Sequence, residues 1–444
     1  MEWNINGLIH REYVKLASEE QVKHRLAAYE ALPCAVMALY GIPGSGKTHD
    51  ALTYCKRNTA ALYFSFRGLT EELARTFFVR RYPRVFTGPC ETWAAFFEQL
   101  RDYAKKKNPV IFFDDPGERN DKTSFYEALS LFNDQLMEDR TAMVVLLCEP
   151  WNTFPVPYYS MPVPPVTPPQ LSRMLKDWSE EDLFRLYSLT GGILALVQEA
   201  AGTSSFREYL DKVCGSDSRS AFLLLCPCWL EKAFRAPEAY NTLLYGLALG
   251  HDRIMELAAF SGFPKNKCEK YLCALLGGGF VYKDKPEGQR PTYGLSLPYL
   301  DAWYRFVFPA MQNTSKLPER IAAYVENTLL PEMLHAEAVE WIENHAWDKM
   351  NASLHAAKPE CENITIRGIL FDYVEKTPDE TVFVKAQMRF EDEDWPAIER
   401  AVESVVPFYN AKIALCSVRL FSRFYWKLYK QYGNIRLVQL KSLG

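Results

Sequence analysis

The chain has 444 residues and a formal net charge of -4, and hydrophobic and charged residues make up 48% and 24% of it. This composition predicts a soluble globular protein of two to four domains. The overall charge does not indicate nucleic-acid binding, although it leaves a local basic face open. No apolar run is long enough to cross a bilayer, so no membrane association is expected.

The cysteines indicate a reducing compartment. There are 11 of them, scattered and odd in number, and the N-terminus lacks the basic and apolar regions of a signal peptide. We therefore expect free thiols and a cytoplasmic protein.

The first part of the chain alternates between strands and helices. Residues 1 to about 30 are predicted to be helical and polar. Apolar runs follow at residues 34–40, 60–66, 110–113 and 142–148, with helical stretches between them. This alternation predicts a parallel sheet that helices cover on both faces. Ligands of such sheets bind at the carboxyl ends of the strands.

The first apolar run leads into a segment that fits the phosphate-binding pattern G-x-x-x-x-G-K-[ST] at every fixed position. Its residues are Gly41, Ile42, Pro43, Gly44, Ser45, Gly46, Lys47 and Thr48. The glycines let successive N–H groups point at phosphate oxygens, and the predicted helix at 48–57 adds partial positive charge at its N-terminus. We expect Lys47 to contact the β- and γ-phosphates and the Thr48 hydroxyl to bind Mg²⁺. The nucleotide-binding residues are therefore predicted to be Gly41, Pro43, Gly44, Ser45, Gly46, Lys47 and Thr48.

A second nucleotide motif follows the third apolar run. A P-loop ATPase needs one acid to hold Mg²⁺ and a second to orient water, and Asp114 and Asp115 stand directly after 110–113. We predict that Asp114 acts on Mg²⁺ and that Asp115, with Lys47, is catalytic. The alternative is a strand that ends in an ordinary acidic turn. Because Asp is shorter than the Glu more usual there, slow hydrolysis is expected.

Three more polar residues lie near predicted strand ends. Glu149 follows the run at 142–148, at a place where many such ATPases have a γ-phosphate sensor, but the sequence assigns it no sensing role. Arg67 and Arg119 fit either arginine fingers or solvated surface residues.

A proline-rich stretch follows the predicted sheet. It contains Pro155, Pro157, Pro162, Pro164, Pro165, Pro168 and Pro169. Proline fixes φ and removes an N–H donor, so an extended connector without helix is predicted. A helical segment then reaches Gly191-Gly192, where one helix is expected to end and the next to begin.

Residues 252–295 predict a helix-turn-helix and a hairpin, which together form a winged helix. The helices fall at 252–260 and 265–276, and the hairpin strands at 280–282 and 292–295. Basic residues lie near the start of the second helix and in the hairpin: Lys265, Lys267, Lys270, Lys283, Lys285 and Arg290. They fit contacts to DNA phosphates, or a solvated basic face on a module that packs against the sheet domain.

The order of these motifs resembles the archaeal-type P-loop ATPases, near the signal-transduction NTPases of the AAA+ superclass. The resemblance is carried by the loop at 41–48, by Thr190-Gly191-Gly192, and by the aromatic run around Trp303-Tyr304-Arg305-Phe306. It implies an α/β fold with a P-loop core (1–165), a helical lid (166–204), a winged helix (205–315) and an endonuclease-like α/β domain (316–444). It also implies ATP and Mg²⁺ as ligands, with Arg11 of the segment His10-Arg11-Glu12 beside the adenine.

The last domain departs from the pattern of its active relatives. These need an upstream acid, an Asp at a strand end and Glu-x-Lys on the next strand. Glu337 and Asp372 match the first two, but the next strand has no Glu-x-Lys and offers only Lys385, Gln387 and Arg389. We expect a degenerate domain that does not cut DNA. The aromatic residues Phe424, Tyr425, Trp426 and Tyr429 suit either a protein-partner surface or core packing.

Three functions remain open from the sequence. The first is an ATP-driven switch in which hydrolysis is slow. The second is a winged-helix DNA-binding module that nucleotide regulates. The third is an ATP-regulated metal-dependent nuclease, which the missing Glu-x-Lys disfavours.

Overall fold

The computed structural model describes residues 35–117, 123–150, 152, 154–163, 165–215, 219–285, 290–310, 316–336, 364–376 and 381–439. The chain forms two compact units. Unit 1 comprises residues 1–166, 190–202 and 212–315, and unit 2 comprises residues 167–189, 203–211 and 316–444. The predicted N-terminal helical segment, including Arg11, lies outside the described residues, as do Arg119 and Glu337.

Seventeen α-helices have both ends within the described residues. They are α1 (Lys47–Arg57), α2 (Glu71–Arg81), α3 (Trp93–Lys107), α4 (Thr123–Asp139), α5 (Pro168–Met174), α6 (Glu180–Thr190), α7 (Leu194–Gln198), α8 (Phe206–Val213), α9 (Ala221–Ala233), α10 (Glu238–Ala248), α11 (Ile254–Ser261), α12 (Lys265–Gly277), α13 (Pro298–Ala302), α14 (Phe308–Ala310), α15 (Leu317–Tyr324), α16 (Trp395–Glu403) and α17 (Arg423–Gln431). Two π-helical turns, Trp303–Val307 and Val325–Leu329, follow α13 and α15. None of the helices in the described residues has the length and apolar composition that a membrane span requires.

The described strands form four sheets. They are β1 (Val36–Tyr40), β2 (Leu62–Ser65), β3 (Val110–Asp114), β4 (Met143–Cys148), β5 (Tyr159–Pro162), β6 (Val281–Asp284), β7 (Thr292–Leu295), β8 (Ile364–Ile366), β9 (Ile369–Phe371), β10 (Tyr373–Lys376), β11 (Thr381–Gln387), β12 (Ala411–Ser417) and β13 (Ile435–Gln439). The largest has the order β2-β3-β4-β1-β5, and all of its pairings are parallel.

The five-stranded sheet of unit 1 has an apolar layer on each face, as the sequence predicted. Side chains alternate along the strands, so Phe113 belongs to one buried cluster and its neighbour Phe112 to the other. On the first face, Phe113 stacks on Phe64 with ring centroids 5.3 Å apart, and α3 and α4 cover them. On the second face, Ala51 of α1 packs in the cluster of Phe112. The α/β prediction is confirmed here.

The proline-rich stretch differs from its prediction. It was expected to be an extended connector without helix, but Tyr159–Pro162 pairs with β1 as a fifth strand, and α5 begins at Pro168. Proline is tolerated at an edge strand and in the first helical turn, because its missing N–H has no intrahelical or ladder partner to lose there. The Gln170 side chain accepts a hydrogen bond from the Thr167 amide at 2.7 Å, which stabilises the start of α5.

The two helices and the hairpin predicted at 252–295 are present in unit 1. A turn at Gly262, with a φ of 70°, joins α11 to α12. The hairpin strands β6 and β7 are antiparallel, with Val281 opposite Leu295. Gly277 ends α12 and leads into the hairpin.

Unit 2 contains a mixed sheet of order β10-β11-β12-β13. The β10–β11 pair is antiparallel, whereas β12 is parallel to both of its neighbours. The stretch from 364 to 376 is divided into three strands, β8, β9 and β10. A two-residue hairpin loop, Arg367-Gly368, separates β8 from β9, and its φ values of 49° and 81° suit such a turn. One face of the sheet packs on α16 and α17.

Candidate functional site

The predicted glycine-rich loop lies between β1 and α1, at the carboxyl end of the sheet. Gly44 and Gly46 have φ values of 82° and 106°, a conformation that favours glycine. A Cβ at Gly41 would lie 2.6 Å from Ser45 Oγ, and one at Gly46 would lie 2.7 Å from Leu194 Cδ2. The backbone conformation at Gly44 and Gly46 therefore favours glycine, and a side chain at Gly41 would displace Ser45 Oγ.

Two helices that follow the sheet cover this loop. The Ala195 amide at the start of α7 donates a hydrogen bond to the Gly44 carbonyl at 2.9 Å. A Cβ at Gly44 would lie 3.0 Å from Ala195 Cβ and 3.1 Å from Leu225 Cδ1 of α9. Glu199, next to the end of α7, accepts hydrogen bonds from the amides of Ala221 and Phe222 at the start of α9. Thus α7 and α9 are joined to each other and to the loop.

The loop retains hydrogen-bonding capacity that suits phosphate. The Ser45 hydroxyl oxygen is buried and has no hydrogen-bond partner among the described residues. A buried polar atom without a partner is costly unless a ligand or water satisfies it. With the backbone turned at Gly44 and Gly46, and α1 beginning at Lys47, the loop offers the donors that an anion needs at a helix N-terminus.

The side-chain oxygens of Thr48 and Asp114 are in contact at the end of the loop. Thr48 Oγ1 donates a hydrogen bond to Asp114 Oδ2 at 2.8 Å, and Tyr63 Oη donates to the same oxygen at 2.5 Å. Burial, together with the Asp114 charge, raises the pKa of Tyr63, so its hydroxyl remains a donor. Mg²⁺ prefers hydroxyl and carboxylate oxygens and, beside a nucleotide, takes only one or two carboxylates. The donor set at Thr48 and Asp114 therefore fits Mg²⁺.

A chain of four charged groups runs from the loop to Asp115. Lys47 Nζ donates to the carbonyls of Gly41 and Ile42 and lies 2.9 Å from Glu149 Oε2. The other oxygen, Glu149 Oε1, accepts from Lys232 Nζ at 2.5 Å. Lys232 Nζ also lies 3.2 Å from Asp115 Oδ2. Lys47 is predicted to contact phosphate and Asp115 to orient water, and in this structure both side chains have a charged partner.

Lys232 is the site residue that the sequence analysis missed. It lies near the end of α9, 117 residues after Asp115 in the chain. Burial alone would lower the pKa of Lys232, but the Glu149 and Asp115 carboxylates outweigh burial and hold this pKa above its usual value. No motif surrounds Lys232, and tertiary contacts bring α9 to the site, among them the packing of Leu225 on the loop. Sequence spacing therefore held no signal for it.

The remaining predicted residues of unit 1 differ in their surroundings. Asp115 has a φ of 55°, which aspartate tolerates better than most residues, and its amide donates to the Leu147 carbonyl at 3.0 Å. Pro43 lies within the loop, partly exposed. Arg67 follows β2 and is exposed, with no charged partner among the described residues.

In unit 2 the side chains of the predicted nuclease motif are engaged elsewhere. Asp372 Oδ2 accepts from the Ala386 amide at 2.5 Å, and burial raises the pKa of Asp372. Lys385 Nζ donates to the Leu370 carbonyl, and burial lowers its pKa. Gln387 donates to Asp394, and Arg389 pairs with Glu391. Among the described residues no three His, Cys, Asp or Glu side chains are placed to hold a metal ion.

Comparison with known proteins identifies no family for the chain. No protein-family model matches the chain, and no curated protein matches it. Two solved structures are similar in part. The crystal structure of Cdc6p from Pyrobaculum aerophilum is 15% identical with a TM-score of 0.33, over 73% of this chain and 97% of that chain. The structure of the Aeropyrum pernix Orc1 protein in complex with DNA is 16% identical with a TM-score of 0.31, over 74% and 95%. Both TM-scores are below 0.5.

Proposed function

We propose that the chain is an ATP-binding P-loop protein that works as a nucleotide-dependent switch and hydrolyses ATP slowly. The observation that carries the proposal is the hydrogen bond of 2.8 Å between Thr48 Oγ1 and Asp114 Oδ2, at the end of a glycine-rich loop between β1 and α1. Residues from two distant segments that the sequence motifs assign to one Mg²⁺ ion thus meet. The choice of adenine rests on the family resemblance of the sequence.

Each residue of the site has a proposed role. The backbone amides of Gly44 and Gly46 would hold phosphate oxygens, and Lys47 would contact the outer phosphates. Thr48 and Asp114 would hold Mg²⁺, which when bound neutralises part of the phosphate charge. Asp115 would orient water, and Lys232 would face the same end of the phosphate chain, since its ammonium lies 3.2 Å from Asp115 Oδ2.

The contacts of the loop support a switch. The Gly44 carbonyl accepts from Ala195 of α7, and Leu225 of α9 packs beside Gly44. A ligand changes such an arrangement only when it binds one state more tightly than another. Phosphate in the loop would compete for Lys47, whose partner Glu149 also binds Lys232 of α9. The position of α9 is therefore expected to depend on the nucleotide.

Calorimetric titration of the full chain with Mg²⁺-ATP tests the site. Lys47→Ala is expected to weaken binding by at least about tenfold, because it removes the buried cation that faces the phosphates. Lys56→Ala is the matched control, since Lys56 lies exposed in the last turn of the same helix. Circular dichroism spectra of both variants establish that they fold. Equal affinity of the Lys47→Ala variant and the parent would overturn the assignment.

A second candidate function is DNA binding through a winged helix at 252–295. Its support is the arrangement of α11, α12, β6 and β7, with exposed Lys270, Lys285 and Arg290. Two predicted contacts are weakened: Lys265 pairs with Glu269 at 3.5 Å, and Lys267 Nζ lies 4.0 Å from the Phe263 ring centroid.

Fluorescence anisotropy with labelled duplex DNA at two salt concentrations tests the second function. Phosphate contacts predict affinity that falls steeply as salt rises, with a smaller salt slope in a Lys270→Ala, Lys285→Ala, Arg290→Ala variant. Without binding at low salt, with or without ATP, the DNA function fails and the ATP-binding proposal is unaffected.

We also propose that residues 316–444 have an endonuclease-like fold without nuclease activity. The support is the engagement of Asp372 and Lys385 by neighbouring backbone, and of Gln387 by Asp394. A partner surface on this part remains a proposal: Trp426 and Tyr429 are exposed, whereas Tyr425 is buried in the core.

The cysteines within the described residues carry free thiols, which agrees with the expected cytoplasmic location.

A further inference from the structure

Glu149 places a buried negative charge inside the proposed phosphate site. The residue directly follows β4 and is 5% exposed. Its amide donates to Asn152 Oδ1 at 2.9 Å, which fixes the backbone where the strand ends. Its two carboxylate oxygens contact different lysines, Lys47 at 2.9 Å and Lys232 at 2.5 Å. The carboxylate thus lies between Lys47, which follows the loop, and Lys232 of α9.

This position brings Glu149 into competition with phosphate. A phosphate oxygen that accepts a hydrogen bond from Lys47 Nζ would lie within about 6 Å of Glu149 Oε2, because both acceptors share one nitrogen at about 3 Å each. Two negative charges at that separation repel strongly in a partly buried site. Every phosphate group added near Lys47 increases this repulsion, so a triphosphate meets more of it than a diphosphate.

We propose that Glu149 determines the preference of the site between nucleoside diphosphate and triphosphate, with Lys232 as its alternative partner when a terminal phosphate contacts Lys47. In this structure the carboxylate pairs with both lysines. A terminal phosphate that binds Lys47 leaves Glu149 paired with Lys232 alone. The inference rests on the proposed ATP site and adds to it the residue that discriminates between the nucleotide states.

Lys232 gives the proposal a second, opposite perturbation. Without Lys232 the carboxylate would have only Lys47 as a cationic partner, and it would compete with phosphate more strongly. Removal of the Glu149 charge therefore favours the triphosphate, whereas removal of the Lys232 charge disfavours it. A residue that served only to hold both lysines in place would give losses of affinity in both variants.

The test is calorimetric titration of the full chain with Mg²⁺-ADP and with Mg²⁺-AMP-PNP, a triphosphate analogue that resists hydrolysis. Glu149→Gln is expected to raise the affinity for AMP-PNP relative to ADP by about tenfold, and Lys232→Met to lower this ratio. Glu98→Gln is the matched control, because it removes one negative charge from an exposed position on α3 and is expected to leave both affinities unchanged.

The outcomes separate this inference from the proposed function. If the parent binds both nucleotides and the ratio is unchanged in Glu149→Gln, or if that variant loses affinity for both, the inference is overturned and the ATP site stands. If neither the parent nor the variants bind either nucleotide, the proposed function and the inference fail together. If Glu149→Gln does not fold, the ratio measured for Lys232→Met decides, and an unchanged ratio overturns the inference.

Discussion

Replacement of Gly192 by alanine tests how strongly the segment before α7 is held in place beside the glycine-rich loop. The φ of Gly192 is 71°, and a Cβ there would lie 2.3 Å from the Val166 carbonyl oxygen. Its own carbonyl accepts a hydrogen bond from the Val166 amide at 2.8 Å. Gly191 has a similar φ of 57°, but a Cβ there would meet only Pro298 Cδ, at 3.7 Å. The two glycines therefore form a matched pair that differs in the backbone clash.

Both alanine variants incur the left-handed backbone cost of about 1 kcal/mol. In Gly192→Ala the displaced backbone adds about 1 kcal/mol, and the weakened hydrogen bond to Val166 adds about 1 kcal/mol. We expect Gly192→Ala to lower the local free energy of unfolding by about 3 kcal/mol and Gly191→Ala by about 1 kcal/mol.

Native-state hydrogen exchange on the full chain measures this local free energy at the amides of Val166 and α7. The affinity for Mg²⁺-ATP is a second readout, because the segment after Gly192 carries Ala195, which bonds the Gly44 carbonyl. Equal losses of protection in the two variants would show that the clash is relieved without cost, and the reasoning from the close approach to Val166 would be refuted.

Three further predictions follow from single residues. Asp115→Asn should slow ATP hydrolysis by at least about tenfold in a phosphate-release assay while Mg²⁺-ATP binding changes less, and an unchanged rate would exclude Asp115 as the water-orienting acid. Burial raises the pKa of Asp50 to about 7, so the folded state binds this proton more tightly than the unfolded state and stability falls as pH rises from about 4 to 7. Asp50→Asn should therefore stabilise the chain at pH 8 and not at pH 4, and equal shifts of the denaturation midpoint at both pH values would contradict this. Plasmid DNA should remain intact with Mg²⁺ or Mn²⁺, and cleavage that disappears in Asp372→Ala would identify a nuclease.

The sequence predicted the elements that hydrophobic runs and glycine patterns encode. The first four strands of the five-stranded sheet lie in apolar runs, so β1 and β3 were found together with the loop and acids that follow them. The fifth strand was missed because it contains Pro162 and its largely exposed residues carry no buried-strand pattern. The start of α5 was missed because Pro168 was interpreted as a breaker, although proline is favoured in a first helical turn.

The site was predicted only as far as its residues are close in the chain or belong to a known motif. The pairing of Thr48 with Asp114 follows from two motifs at the carboxyl end of one sheet, after β1 and at the end of β3. Lys232 could not be predicted from the sequence. Its helix α9 is held at the site because Leu225 packs on Gly44 and because Glu199 accepts a hydrogen bond from the Ala221 amide in the first turn of α9. These are tertiary contacts between segments with no fixed spacing.

The charges of the site explain why Lys232 matters for the proposed switch. Without it, Glu149 and Asp115 would place two negative charges beside the single cation Lys47, and an anionic ligand would meet net repulsion. With Lys232, which contacts both carboxylates, the four groups balance. The cation that restores this balance lies on α9, whereas Lys47 begins α1 and Asp115 and Glu149 directly follow β3 and β4. Binding of phosphate and the position of α9 are therefore coupled through charge, and a mutation that moves α9 should alter nucleotide affinity without touching the glycine-rich loop.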